Sequence, residues 1–371
     1  MIAELKAVIQ HFLLRRHTYM SVTLKDIAAY CGVSIGTVDR ALHNRGRINP
    51  EVRDKILAAA KELDYQPNTA AQKLHAKNKN LKIGFVLPIA RKGGFWADVV
   101  NGINTISNRL KPDGLTVLSK EYSFYSNESV LSCIDSVLSD GVSGIALVPL
   151  NTEPVIQKIR ELSDRNIPVV LVNSPVDNME SVPHLCYVGS DYFTAGTTAA
   201  GLANMFFSSG SVNAAAVGLR RNFLSPMQRL NGFQQELIRL NPSSCVSGVL
   251  RMDTESQDIR KTTYEFLLER PEVNCVLSLN GPVHLIAQGI SDVTSETKRE
   301  IHHISYDFNM NTKSCLENGS IDAIIDQESE HQGYRPVRII YNYLVYGTPP
   351  DPIDMRIRTE IILPQNMPPL V

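Results

Sequence analysis

The sequence predicts two folds in tandem, a small all-α helix-turn-helix unit followed by a large doubly wound α/β body. Three observations predict this. The chain has 371 residues, more than one ordinary domain holds. Residues 23–63 carry closely spaced helix caps around a Gly-containing turn. From Leu81 onward, short apolar runs alternate with amphipathic helical segments.

Thr23 suits the N-cap of a helix beginning at Leu24, and Asp26 stands three residues on, close to a capping box. Gly32 ends that helix. Ser34 caps a second one over Ile35–Leu42. Ile27, Ala28, Val33, Val38 and Leu42 supply the contacts between the two. Helix, short Gly-containing turn and helix together make the helix-turn-helix pattern, although a three-helix scaffold of another sort has the same spacing. A third helix starts at Asn49-Pro50, with an apolar stripe of Ile56, Leu57, Ala60 and Leu63.

In a helix-turn-helix the second helix enters the DNA major groove by its N-terminal end. Ile35, Gly36, Asp39 and Arg40 then face the bases, and Arg40 can grip a guanine with two hydrogen bonds. Ser34, Thr37, Asn49 and the amides at the helix start suit phosphates. Charge agrees with this. Residues 21–80 hold ten Lys or Arg against six Asp or Glu, whereas the whole chain is at −1. A basic front on an acidic body suits a DNA-binding unit attached to something else.

The body reads as strands at Lys82–Leu87, Leu115–Ser119, Gly144–Val148, Val169–Val172, Asn213–Val217, Cys275–Leu279 and Ile301–Ser305. Helices are expected at Ala97–Leu110, Glu153–Arg165, Phe193–Phe207, Pro226–Leu240, Thr254–Glu269 and Glu330–Tyr346. Ligands of such folds bind beyond the C-terminal ends of the strands. The six scattered cysteines form no CxxC pair and read as reduced, buried thiols. No run reaches the roughly 18 apolar residues of a membrane span. Glu4 and Lys6 precede Arg15-Arg16, the wrong charge order for a signal peptide, so a cytoplasmic protein is expected. No GxSxG elbow, HExxH helix or P-loop marks an enzyme, and no cofactor is implied.

From Val22 to Leu74 the chain resembles, without a gap, the headpiece of the LacI/GalR repressor family. TLKDIA, the GVS-x-x-TV-x-R motif, the Arg-rich turn containing Arg47, and YxPN before a short Ala-rich helix carry the likeness. The family adds Thr23 and Arg47 to the DNA-binding set. It also implies a hinge helix from Asn68, which orders on DNA against its twin. There Asn68 meets a phosphate, and Leu74, beside Ala71, wedges into a minor-groove base step. Two departures leave base preference open. Ile35-Gly36 stand where the lac repressor has larger polar residues, and Asp39 replaces a Ser or Thr.

The resemblance extends more loosely, from Leu81 to about Leu363, to the type I periplasmic sugar-binding proteins. It implies two lobes and an effector held between them by Phe95, Trp96, Asn173, Asp191, Arg229, Asn280, Asp307 and Gln327. Arg229 lies in R-x-x-GF. Asn173-Ser174 replace the Asp-Arg pair of ribose-binding relatives, and Gly281 stands where an acid is common. Arg91, Lys92, Arg220 and Arg221 lie near strand ends and are read as solvated, the alternative being that they favour an anionic ligand.

The expected organisation is an extension over 1–20, a headpiece over 21–67, a hinge and linker over 68–80, and an effector domain over 81–371. Lobe crossovers are expected near 208–210, 326–328 and 349–352. A start at Met20 would also suit the family. The implied function is that of a homodimeric repressor of a carbohydrate or polyol operon. Its partners would be a near-palindromic double-stranded operator and a small sugar, polyol or sugar-phosphate. The alternative is a global regulator whose body answers to a partner protein.

Overall fold

A computed structural model of the chain describes residues 22–42, 48–65, 77, 80–207, 210–220, 222–252 and 258–369. The front unit contains α1 (Leu24–Cys31), α2 (Ile35–Leu42) and α3 (Pro50–Glu62). Ile27, Cys31, Val38, Ala41, Ile56 and Ala59 are buried together at its centre. Leu57, expected in the apolar stripe of α3, is exposed; Ala59 takes its place, because the inward face runs through 56, 59, 60 and 63. The extension over 1–20, the hinge residues 68–76 and Arg47 lie outside the described residues.

The body has two sheets. In chain order the first comprises β1 (Lys82–Pro88), β2 (Thr116–Tyr122), β3 (Gly144–Leu147), β4 (Val169–Val172) and β5 (Cys186–Val188). Its order is β2-β1-β3-β4-β5, all parallel. α4 (Phe95–Leu110), α5 (Asn127–Ser139) and α6 (Glu153–Asp164) connect the first four strands. The second sheet comprises β6 (Asn213–Leu219), β7 (Cys245–Arg251), β8 (Cys275–Ser278), β9 (His302–Tyr306), β10 (Ala323–Asp326) and β11 (Glu360–Ile362). Read from its other edge, its order is β7-β6-β8-β9-β10-β11, the same winding with one added strand. That added β11 is antiparallel, so this sheet is not purely parallel as expected. Its helices are α7 (Tyr192–Phe206), α8 (Leu224–Leu240), α9 (Ile259–Leu268), α10 (Val283–Thr297) and α11 (Met310–Glu317). α12 (Ser329–Tyr346) and α13 (Pro352–Met355) follow β10.

The passages between sheets are set by packing. α7 is already in the second sheet's core, with Ala195, Ala199 and Ala203 against Phe233 and Leu277. The first passage therefore lies between β5 and α7, not at 208–210, which follows α7. The second follows β10 at Gln327-Glu328, because α12 returns to the first lobe and sets Ile340 against Gly144. The third lies after Arg356, which bridges to Gly189, and before β11, rather than at 349–352.

In each lobe the helix arriving by a passage crosses a neighbour at bare backbone. A Cβ on Gly102 of α4 would stand 1.9 Å from the Glu330 carbonyl oxygen of α12, and one on Gly333 would stand 2.0 Å from that of Val99. In the second lobe, Cβ atoms on Gly196 of α7 and Gly232 of α8 would each stand 2.1 Å from the carbonyl oxygens of Arg229 and Phe193. No described helix is long and apolar enough to cross a membrane. The six cysteines form no disulfide; four are buried, while Cys133 is half-buried and Cys245 exposed, contrary to the reading of all six as core thiols.

Candidate functional site

In the front unit Thr23 and Asp26 close a full capping box. The Asp26 carboxylate accepts from Thr23 N at 2.9 Å, and Thr23 Oγ1 accepts from Asp26 N at 3.4 Å. Gly32 closes α1 in the left-handed region, at φ 70°, where a side chain would be strained. The turn then delivers α2. Ser34 Oγ accepts from Thr37 N at 3.1 Å and pairs with Thr37 Oγ1 at 2.9 Å. Ser34, Ile35, Gly36 and Arg40 are exposed on one end of that helix. Arg40 is folded back on its own helix, Nε donating to Gly36 O at 3.1 Å, so its fork is held at the surface that Ile35 and Gly36 share. Asp39 is half-buried, and its charge reaches the phenol of Tyr65. Asn49 caps α3 by accepting from Glu51 N at 2.9 Å. Of the predicted DNA-facing set, Asn68, Ala71 and Leu74, like Arg47, fall outside the described residues.

In the body four of the predicted effector residues, Arg229, Asp307, Gln327 and Asn173, are joined in one network. Arg229, in the second turn of α8, is 4% exposed. Its Nη1 donates to Leu279 O at 2.7 Å, and its guanidinium lies 3.8 Å from the Tyr306 ring centroid and 5.0 Å from that of Tyr192. Nε is buried without an acceptor. Asp307 follows β9 in the left-handed region, at φ 71°. Burial pushes its carboxyl up, partly offset by the Arg229 charge and by Gln327. Gln327 Nε2 donates to Asp307 Oδ1 at 2.6 Å.

The network then crosses to the first lobe. Gln332 of α12, fully buried, gives Nε2 to Gln327 O at 2.8 Å and accepts from Asn173 Nδ2 at 2.9 Å. Asn173, after β4 at φ 62°, also offers its carbonyl to the Tyr187 hydroxyl. Gln332 and Tyr187 were not singled out in the sequence. A Gln inside a helix has no local signal, and Tyr187 reads as one apolar residue of a very short strand.

Aromatic rings form a second cluster at strand ends. Phe95 meets Trp96 edge-on at 4.9 Å, both half-buried at the start of α4. Trp96 lies 6.3 Å from Phe124, which meets Phe223 of the other lobe at 5.4 Å. Arg220, read as solvated, instead stacks on Phe124 with its guanidinium 4.3 Å from the centroid. Arg91 and Lys92 are exposed, and Arg221 is outside the described residues. Asn280 is half-exposed and bonded to the next amide, Gly281 N, at 2.7 Å. Asp191 is exposed, and both its oxygens cap α7, accepting from Thr194 N at 2.9 Å and Thr194 Oγ1 at 2.7 Å. Burial works against that charge, but the Thr194 bonds and nearby Arg356 leave the carboxyl below its usual range.

At the ends of strands from two lobes there are thus a cluster of rings and a network of amides, one guanidinium and a carboxylate. Such a site suits a small polyhydroxylated ligand, ring face on aromatic and hydroxyls on the polar groups. No group of three or more His, Cys, Asp or Glu among the described residues is arranged to hold a metal ion.

Comparison with known proteins assigns both parts. Residues 23–68 match the family model for bacterial regulatory proteins of the lacI family, and residues 83–348 match that of the periplasmic binding protein domain. Catabolite control protein A of Priestia megaterium is 27% identical over 251 residues, covering 66% of this chain and 71% of that protein. The HTH-type transcriptional regulator MalR of Streptococcus pneumoniae is 22% identical over 296 residues, covering 78% and 84%. Among solved structures, a carbohydrate transporter from Acidothermus cellulolyticus in complex with myo-inositol superposes with a TM-score of 0.65 at 22% identity. It covers 77% of this chain and 95% of that one, a likeness that shows the fold of the body. The relatives' names are those of transcriptional regulators. The chain belongs to the lacI family of bacterial regulatory proteins, DNA-binding regulators that here carry a periplasmic-binding-protein body behind the helix-turn-helix.

Proposed function

We propose that this regulator is a cytoplasmic homodimeric repressor of a carbohydrate or polyol operon, released or engaged by a small sugar-like effector bound between its lobes. The observation that carries the effector reading is the buried chain Asp307–Gln327–Gln332–Asn173, which joins the two lobes through side-chain amides at the strand ends. A ligand that bonds to members of that chain interacts differently with open and closed lobes, and only such a difference can shift the protein between states. The names of relatives support the metabolic setting: one is a catabolite control protein, and one structural neighbour holds myo-inositol, a cyclic polyol.

Two headpieces on a two-fold axis would read a near-palindromic operator, one half-site each. Ile35, Gly36 and Arg40 are the residues assigned to base edges, and Thr23, Ser34, Thr37 and Asn49 those assigned to phosphates. Asp39, half-buried, stands at the edge of that surface. Arg47, Asn68, Ala71 and Leu74 complete the DNA-binding set through the family likeness. In the effector set, Arg229, Asn173, Asp307 and Gln327 form the floor, Phe95 and Trp96 the wall, and Asn280 and Asp191 the rim.

The test is a gel shift on the DNA upstream of the chain's own gene at fixed salt, because phosphate contacts make affinity steeply salt-dependent. It is run with and without sugars, polyols and sugar phosphates. A shifted palindrome whose affinity one compound changes supports the reading. A shift that no compound changes argues against a small effector and brings forward control by a partner protein.

A further inference from the structure

The inner end of the cleft is richer in carboxylate than the binding of hydroxyl groups requires. Gly102 lies against the Glu330 backbone, which sets that face of α4 on the start of α12. Asp98 is one turn earlier on the same face, so its side chain lies toward the passage Asp326-Gln327-Glu328. Asp326 Oδ1 accepts from Phe308 N at 2.9 Å and Oδ2 from Glu328 N at 3.1 Å. Asp307 is bonded to Gln327. The Asp98 carboxylate makes no hydrogen bond or ion pair with the described residues. The described cation whose field reaches Asp307 is Arg229. Asp98, Asp326 and Asp307 thus lie within reach of one another's charge, and the guanidinium beside Asp307 is already bonded to Leu279 O.

A separate observation shows what is missing there. Gln327 is 3% exposed and spends Nε2 on Asp307, while Oε1 of the same amide is buried and accepts nothing. A buried acceptor beside carboxylates is satisfied only by a donor, and the described residues supply none. The acids agree. Burial first, then their mutual charges and Glu330, push Asp98 up to about 6; burial and Asp307 do the same to Asp326, against its backbone bonds. Each would be relieved by a positive charge among them.

We propose that the effector carries a protonated amino group, and that Asp98 is the specificity-determining residue that receives it together with Asp307 and Gln327 Oε1. An ammonium has three donors and no acceptor, matching the Asp98 carboxylate, Gln327 Oε1 and the Asp307 oxygen that Gln327 does not occupy. The ligand class is then an amino sugar or aminocyclitol. This rests on the effector reading given above and narrows it.

The experiment is calorimetric titration of the full-length protein at pH 7.5 with matched pairs: glucose and glucosamine, galactose and galactosamine, and myo-inositol and an aminodeoxy-inositol. The N-acetyl form of each amine serves as its uncharged control. One amine is expected to bind at least tenfold more tightly than its hydroxyl partner and to lose that advantage on acetylation. Asp98→Asn should remove the advantage, and Asp98→Glu should keep it. If a neutral member binds as tightly as its amine, or the preference survives Asp98→Asn, this inference fails and the sugar-effector reading stands. If no member of any pair binds, both fail.

Discussion

The guanidinium of Arg229 lies over Tyr306, 3.8 Å from the ring centroid, while its Nη1 holds the carbonyl that ends the neighbouring strand region at Leu279. One side chain thus ties α8 to β9 and to the end of β8, and its charge offsets that of Asp307. Arg229→Met keeps the bulk but leaves Asp307 buried without its cation and Leu279 O without its donor. We expect a loss of roughly 3 kcal/mol in urea unfolding at pH 7.5, together with loss of effector response. The loss should shrink at low pH, where Asp307 takes up a proton. An unchanged unfolding midpoint would show that the guanidinium does neither job.

Gly232 stands in the same R-x-x-GF segment, and its role is spatial. A Cβ would lie 2.1 Å from Phe193 O, and backbone cannot turn aside as a side chain does. Gly232→Ala must therefore spread α7 from α8, at a cost on the order of 1–3 kcal/mol or more. Because Arg229 rides on α8, effector binding should weaken by more than the stability loss alone explains. Gly102→Ala makes the same test in the first lobe, against Glu330 O. Gly201 has nothing within 4 Å of its would-be Cβ, so Gly201→Ala is the control and should leave both readouts intact or raise stability slightly. Thermal melts and effector titrations on the three variants check this.

Legibility in the sequence followed burial only in part, since β10 is nearly as enclosed as β8, yet its three apolar residues between Asp322 and Asp326 do not read as a strand. The strands β1, β3, β4 and β8 are almost wholly enclosed and read as apolar runs. β7 was missed because it is an edge strand whose residues alternate between exposed and half-buried, with Gly248 in its middle. β5 and β11 have only three residues each, too few for a period. α11 was missed because its start is polar, Asn309 capping Asn311 N and Thr312 N. Arg229, Asp307 and Gln327 were reached through family motifs, and the structure brings them together. Asp98 and Gln332 carry no motif, since their significance lies in what a helix crossing sets beside them.

The headpiece depends on its first cap. Thr23 and Asp26 bond reciprocally at the start of α1, which carries Ile27 and Cys31 into the core beneath α2. Thr23→Val removes the acceptor for Asp26 N and should cost about 1 kcal/mol of local stability. Operator affinity should fall for all sequences alike, because the whole recognition surface is loosened. Arg40→Ala should behave differently, costing about 1–3 kcal/mol at one base position and relaxing preference there. Gel shifts with single-base operator variants separate the two patterns. Equal loss at every base pair for Arg40→Ala would assign that side chain to phosphate instead.

Asp98 and Asp326 give the body a distinct pH signature. Both carboxyls are pushed up to about 6, above the value of about 4 they have in an unfolded chain. Between those values the folded state binds more protons than the unfolded one, so stability from these groups falls as pH rises from about 4 through about 6. Asp191 and Asp292, held below their usual range, work in the opposite direction at lower pH. The difference between native chain and variant isolates the effect. Asp98→Asn removes one half-buried charge and should raise the melting temperature at pH 7.5. The advantage should shrink as pH falls toward 5, where the native carboxyl is itself protonated. A variant less stable than the native chain at pH 7.5 would mean that the Asp98 charge is compensated in the folded protein, and that the cleft has no deficit for a ligand to fill.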